Sequence, residues 1–278
     1  MLGQKQFRFN TIKILIKYFV KSFCSRIEIW LMFSIVLLVF SIFCINTIRS
    51  VTKDVFVVSA NIYEQSIFAS VVFVCVFSSL LQTLHISKDI DSRVYESYLY
   101  GPVDETCYII SIFVSYSIVN FFAIVCFPLT WILLITFLVG IVPSTTAIIS
   151  ILFGYLLSNL ILFIAMCIGA ATRKSKLAIW YLLLFHVTCI GIVLGDTIVS
   201  KYLLPLKRSD VDLFSFFRSI SHFLFNLSVY FSPYTQFYIF QKNIYHSKLI
   251  LLIFPVAVIA AQILFAFISK CLFKRSIK

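Results

Sequence analysis

The sequence predicts an all-α integral membrane protein with six transmembrane helices. An amphipathic interfacial helix precedes the first of them, and a re-entrant or interfacial segment precedes the last. Three observations carry this expectation. The 278 residues are 61% hydrophobic and only 12% charged, against about 45–50% and roughly 25% in a typical soluble domain. That much apolar surface exceeds what one core of this size can hide, so lipid must solvate the rest. Apolar runs of spanning length recur along the chain, and basic residues gather in alternate connections between them. Residues 1–278 therefore read as a single transmembrane domain.

A span needs about 20 mostly apolar residues. Runs of that kind occupy Trp30–Ile48, Ile67–Leu84, Tyr108–Val139, Ala147–Ala171, Ala178–Val199 and Leu249–Phe273. The third is long enough to tilt or project, and Pro128 is placed to kink it. The connections Gly140–Thr146 and Thr172–Leu177 are short, so helices three, four and five form antiparallel hairpins.

Orientation follows from Lys and Arg, which favour the cytoplasmic side. With the N-terminus inside, the inner segments hold Lys5, Arg8, Lys13, Lys17, Lys21 and Arg26, then Lys88 and Arg93, then Arg173, Lys174 and Lys176. The C-terminal end adds Lys270, Lys274, Arg275 and Lys278. The short outer loops hold only Arg49 and Lys53. Both termini are thus expected in the cytoplasm of a multi-pass cell-membrane protein. A net charge of +12 spread between apolar runs serves this orientation and argues against nucleic-acid binding, which needs the charge on one soluble face.

The segment 11–26 is not a span. Ile12, Leu15, Ile16, Phe19 and Phe23 recur at helical spacing, while Lys13, Lys17 and Lys21 fall on another face. This is the pattern of a helix lying in the inner interface, either as a plain anchor or as a contact surface for a partner. The stretch 201–248 reads as an extracytoplasmic loop in which Phe214–Phe231 re-enters the membrane or lies on it, with Arg218 and His222 one turn apart and Pro233 as its stop. A seventh span here would carry the basic C-terminus outside, against the charge rule.

Motifs for chemistry are missing. There is no phosphate-cradling GxxxxGK[ST], no HExxH and no GxSxG. The eight Cys residues are scattered, without CxxC or a Cys/His pair at ligand spacing, so no metal site is expected. The unusual feature is acidic. Asp89, Asp91, Glu96, Asp104 and Glu105 place five of the eleven carboxylates in the inner loop 86–105. A solvated loop is the plain reading. The functional one is a short helix over Asp89–Tyr100 that docks on a partner, with acids at its start suiting the helix dipole and Tyr95, Tyr98 and Leu99 as its apolar face.

That loop resembles the inner loop of type-2 ABC transporter permeases, the membrane subunits of exporters. Their loop after helix two runs, in outline, Glu-Arg-Glu-x-Gly-Thr-Leu-Glu-x-Leu-Leu-x-Ser-Pro. Asp89 and Asp91 stand at the first acids, Glu96 at the later Glu, Leu99 at a Leu and Pro102 at the closing Pro. Arg93 replaces the Gly and Val94 the Thr. The helix 11–26 looks like the family's connecting helix. Gly169-Ala-Ala-Thr-Arg-Lys-Ser and Ser232-Pro233-Tyr234 are similar to its inner turn after helix four and its Pro-containing segment before the last helix. Phe127-Pro128-Leu129 and the Gly169–Gly195 stretch also look like the haem-exporter permease of cytochrome c maturation.

The resemblance implies a transport subunit that is not itself an enzyme. A separate ABC ATPase subunit would bind ATP and Mg, with no cofactor on this chain. Force would arrive through Asp89, Asp91, Arg93, Glu96, Leu99 and Pro102 and through the Lys13, Lys17 and Lys21 face of the connecting helix. A second permease, identical or different, would complete the path. A membrane scaffold or assembly subunit is the competing class. Intramembrane polar residues mark pathways by default, and Asn120, Asn159 and His186 are the candidates here. For His186 a hydrogen bond to a neighbouring helix is the plainer role.

Overall fold

The computed structural model describes residues 2–53, 63–100, 103–139, 144–172, 174–199, 211–243 and 250–276. Among them there is no strand. The helices are α1 (Leu2–Cys24), α2 (Ile27–Lys53), α3 (Glu64–Asp91), α4 (Val94–Tyr100), α5 (Glu105–Phe121), α6 (Phe127–Val139), α7 (Thr145–Thr172), α8 (Ser175–Ile198), α9 (Val211–Ser228), α10 (Pro233–Asn243) and α11 (Ile250–Ser276). Five helical stretches are long and apolar enough to cross a membrane: Glu64–Asp91, Glu105–Phe137, Thr145–Thr172, Ser175–Ile198 and Leu252–Arg275. A sixth arises if α1 and α2, bent by 69° at their junction, are counted together.

The centre is the α3–α7 pair, and small side chains let it close. A Cβ on Gly154 would lie 2.6 Å from Val71 Cγ2, and one on Gly169 would lie 3.3 Å from Ile86 Cγ2. Ala147, Ser150, Ser158 and Ala165 share this buried side of α7. On α3 the buried residues are largely small and polar: Ser66, Ser70, Ser78, Ser79, Thr83 and Ser87. In lipid, helices associate through close packing and hydrogen bonds, because apolar surface gains nothing by leaving acyl chains. Thr83 accordingly donates to the Ala165 carbonyl across the seam (3.2 Å). α11 packs on the other side of α7, tied by Gln262 Nε2 donating to the Leu156 carbonyl (2.6 Å).

The third predicted run is one long helix interrupted rather than broken. Phe122–Cys126 form a π-turn between α5 and α6, with the Phe127 N–H reaching back to the Phe122 carbonyl. Pro128 has no N–H and its ring crowds the carbonyl four residues earlier. The widened turn gives that ring room, so the expected kink becomes a π-turn.

Three boundaries differ from expectation. The N-terminal helix begins at Leu2, not residue 11, since nothing between Leu2 and Asn10 compels a break. It ends at Cys24, whose carbonyl accepts from Trp30 Nε1 at 2.8 Å. Residues 86–91 belong to α3, so Asp89 and Asp91 lie at the end of that helix and not at the start of a loop helix. The dipole there opposes carboxylates. Glu96 stands in the first turn of α4, and Glu105 in that of α5. Finally, Pro233 starts a helix as well as stopping one. Ser232 caps α10, its hydroxyl oxygen accepting from the Thr235 N–H (3.3 Å), and Pro at the first helical position forfeits no bond. Tyr234, Phe237 and Phe240 of α10 are wholly buried, with Phe240 stacked on Phe153 at 4.0 Å. Residues 201–210 and 244–248 of the expected outer segment lie outside the described residues, as does the Arg218 side chain.

Candidate functional site

The acidic loop folds into a turn and a short anchored helix. After Asp91 the chain reverses through Ser92 and Arg93, whose N–H groups donate to the Lys88 and Ile90 carbonyls (2.9 and 3.2 Å). Arg93 has φ 57°, the one positive φ of a non-glycine among the described residues. A Cβ is disfavoured there by roughly 1–2 kcal/mol. This is the position at which the resembling family carries Gly.

Tyr95 then pins α4. Its ring is buried between Tyr108 (centroids 4.9 Å apart) and Phe273 of α11 (5.4 Å), and Tyr98 lies 5.7 Å from Tyr108. Burial pushes the Tyr95 phenol well above its usual range, with the Glu105 carboxylate adding to the shift. Tyr98 is raised for the same first reason. With these rings turned inward, Asp91, Arg93 and Val94 are exposed and Glu96 is partly exposed. The Leu99 side chain and Pro102 lie outside the described residues.

Asp89 faces inward. Its Oδ2 accepts from the Tyr108 hydroxyl at 2.7 Å and lies 3.7 Å from His85 Nε2. It therefore ties α3 to α5. Phe19 and Phe23 of α1 pack edge-on to His85 at 5.6 and 5.8 Å, and Phe23 meets Tyr116 at 4.5 Å. Helices α1, α3, α4, α5 and α11 thus converge on one aromatic cluster. Sequence reading missed its centre, the His85–Asp89–Tyr108 arrangement. The i, i+4 spacing of His85 and Asp89 was the visible signal, but Tyr108 gave none.

On α1, Leu15, Phe19 and Phe23 are buried, while Lys13, Lys17 and Lys21 are exposed. Phe7, Ile14 and Tyr18 form a second apolar stripe, exposed beside the lysines. The far end of α1 carries an ion pair, Arg8 to Asp104 at 2.7 Å, too exposed to add much stability.

No hydrogen bond joins the three intramembrane candidates to one another among the described residues. Asn159 Oδ1 accepts from Ser117, which also meets the Tyr155 hydroxyl, each at 2.8 Å. Asn120 is fully buried, and neither amide atom has a partner among the described residues. His186 bridges α3 and α10, with Nε2 2.8 Å from Ser79 Oγ and Nδ1 2.8 Å from the Tyr234 hydroxyl. One proton arrangement satisfies every donor: Tyr234 donates to Nδ1, Nε2–H donates to Ser79, and Ser79 donates to the Val76 carbonyl at 3.0 Å. The reverse leaves the Tyr234 proton without an acceptor. His186 is then a tie between helices, with Ser79 accepting from it.

Among the described residues, no group of three His, Cys, Asp or Glu is placed to hold a metal ion. No protein-family model matches the chain, and no curated protein matches it.

Proposed function

We propose that this chain is the membrane subunit of a type-2 ABC exporter. It crosses the cell membrane six times with α2 as the first span, both termini in the cytoplasm, α1 in the inner interface, and α9–α10 on the outer side. A separate ABC ATPase binds ATP and Mg, and a second permease completes the translocation path. Ligand binding moves an equilibrium only through differential affinity for its two states. Here that difference lies in how the nucleotide-bound ATPase grips α4 and the exposed lysines of α1.

The observation that carries the reading is the turn at Arg93. The resembling motif places Gly at this position, and the chain adopts there the left-handed conformation that Gly supplies without strain. A second support is the anchoring of α4 by Tyr95, which leaves Glu96 and Asp91 toward the outside. The paired stripes of α1, lysines beside Phe7, Ile14 and Tyr18, suit a helix with one flank in water and the other in lipid.

The test is charge reversal. Glu96→Lys is expected to abolish ATP-driven transport while ATP hydrolysis by the partner continues and the permease stays folded. Normal transport by this variant would remove the coupling role. Isolation in mild detergent provides the other arm. Recovery of an ATPase subunit whose association changes with nucleotide supports the permease reading. Its consistent absence would favour a scaffold built on the same helices.

A further inference from the structure

A cavity of about 280 Å³ lies between the last turns of α1, the end of α3 and the start of α4. Its wall is unusual for a junction of apolar helices. Arg26 and Lys88 both line it, and neither is in an ion pair among the described residues. His85 lines the same wall. The carboxylate in the wall is that of Asp89, and its Oδ2 is engaged by the Tyr108 hydroxyl behind it. Two cations therefore stand against one anchored carboxylate. The rest of the wall includes the rings of Tyr18 and Tyr98. Tyr18 is also the last residue of the exposed apolar stripe with Phe7 and Ile14, so the cavity passes directly into apolar surface.

We propose that this cavity binds the phosphate headgroup of an anionic phospholipid, whose acyl chains lie along the Ile14–Tyr18 side of α1. The Arg26 guanidinium lies over the Phe23 ring, 5.5 Å from its centroid, and neither cation has a carboxylate partner among the described residues; such cations at the edge of an apolar surface favour a ligand with a negative head and a hydrocarbon body. Arg26 presents a planar fork suited to phosphate oxygens, and Lys88 a mobile point charge. The lipid would wedge α1 against α4, the two elements through which the partner ATPase is proposed to act. Its occupancy would set how stiffly they move together. The site rests on reading this face as a membrane surface. It does not require that the partner be an ATPase, so the two proposals fail separately.

The experiment uses the full chain, purified and stripped of lipid in detergent. Phosphatidylglycerol, phosphatidylcholine, inorganic phosphate and glycerol 3-phosphate are titrated in turn. Bound lipid is counted by native mass spectrometry, and the melting temperature is followed in parallel. The expected result is one retained phosphatidylglycerol per chain, with a rise in melting temperature that phosphatidylcholine does not give. Each Lys or Arg near an anionic headgroup contributes about 1 kcal/mol, so Arg26→Gln with Lys88→Gln should weaken retention about thirtyfold. Lys88→Gln alone, at an exposed position, should weaken it about fivefold and guards against misfolding of the double variant. Lys174→Gln with Lys176→Gln, exposed at the start of α8 and outside the cavity wall, should leave it unchanged. Equal retention in the Arg26/Lys88 variants, equal binding of phosphatidylcholine, or loss on changing Lys174 and Lys176 would overturn the site. Full stabilisation by phosphate or glycerol 3-phosphate alone would overturn its assignment to a lipid.

Discussion

Helices α7 and α11 have the same mean hydropathy over their most apolar stretches, yet opposite fates. In α7 72% of that stretch is buried inside the protein, and in α11 only 11%. Water cannot have made this distinction, since both helices are equally averse to it. The difference lies in side-chain size and polarity. Along α7, Ala147, Ser150, Gly154, Ser158 and Ala165 make a face that another backbone can approach. Along α11, Ile253, Val256, Ile263, Leu264 and Phe267 project outward, and α11 is held to α7 on its other side, where Gln262 bonds the Leu156 carbonyl. In lipid the residue that is buried is the one that permits contact, not the one that avoids water.

This contrast can be broken by substitution. The largest effect is expected at Gly154, where a side chain must displace Val71. Gly154→Leu should cost about 3 kcal/mol, read as a lowered unfolding midpoint in denaturant-containing micelles. Next comes the polar tie between α3, α8 and α10. His186→Leu removes two hydrogen bonds and strands the Tyr234 hydroxyl, for a loss of about 1–2 kcal/mol. Adding Tyr234→Phe should cost little more, and a fully additive double variant would show that the two are not joined. Arg93→Gly is expected to act in the other direction, raising stability by about 1 kcal/mol through relief of the left-handed turn. Smallest of all should be Leu264→Ala on the open side of α11, within about 0.5 kcal/mol of the parent by the same measurement. A large loss there would mean that something covers α11 in the protein as isolated.

The same contrast explains what the sequence disclosed. Apolar runs of spanning length were legible because the lipid requirement acts on each helix alone. Partner choice was not, because it depends on which small face meets which. Thr83 and Ser79 look like blemishes in an apolar run until α7 and α8 are placed against them. The long outer segment was misjudged at Pro233, since a Pro that ends one helix and one that opens the next look alike without the Ser232 hydroxyl in place. In the acidic loop, the motif positions were visible but their directions were not. Asp89 and Asp91, two residues apart near a helix end, point to opposite environments, one to Tyr108 and one to solvent.

The π-turn at Phe122–Cys126 has a further consequence. It amounts to one inserted residue in an otherwise regular helix, which advances the rotational phase of everything after it by about 100°. The segment after the turn, from Trp131 to Phe137, therefore presents a face different from the one that a regular continuation of Tyr108–Val119 would present. Ile132 and Ile135 are its buried residues. A related chain lacking one residue here would keep the same length of apolar sequence but would need a different set of inward positions beyond Pro128. The place to look for altered packing among such chains is thus a change of count, not of residue type.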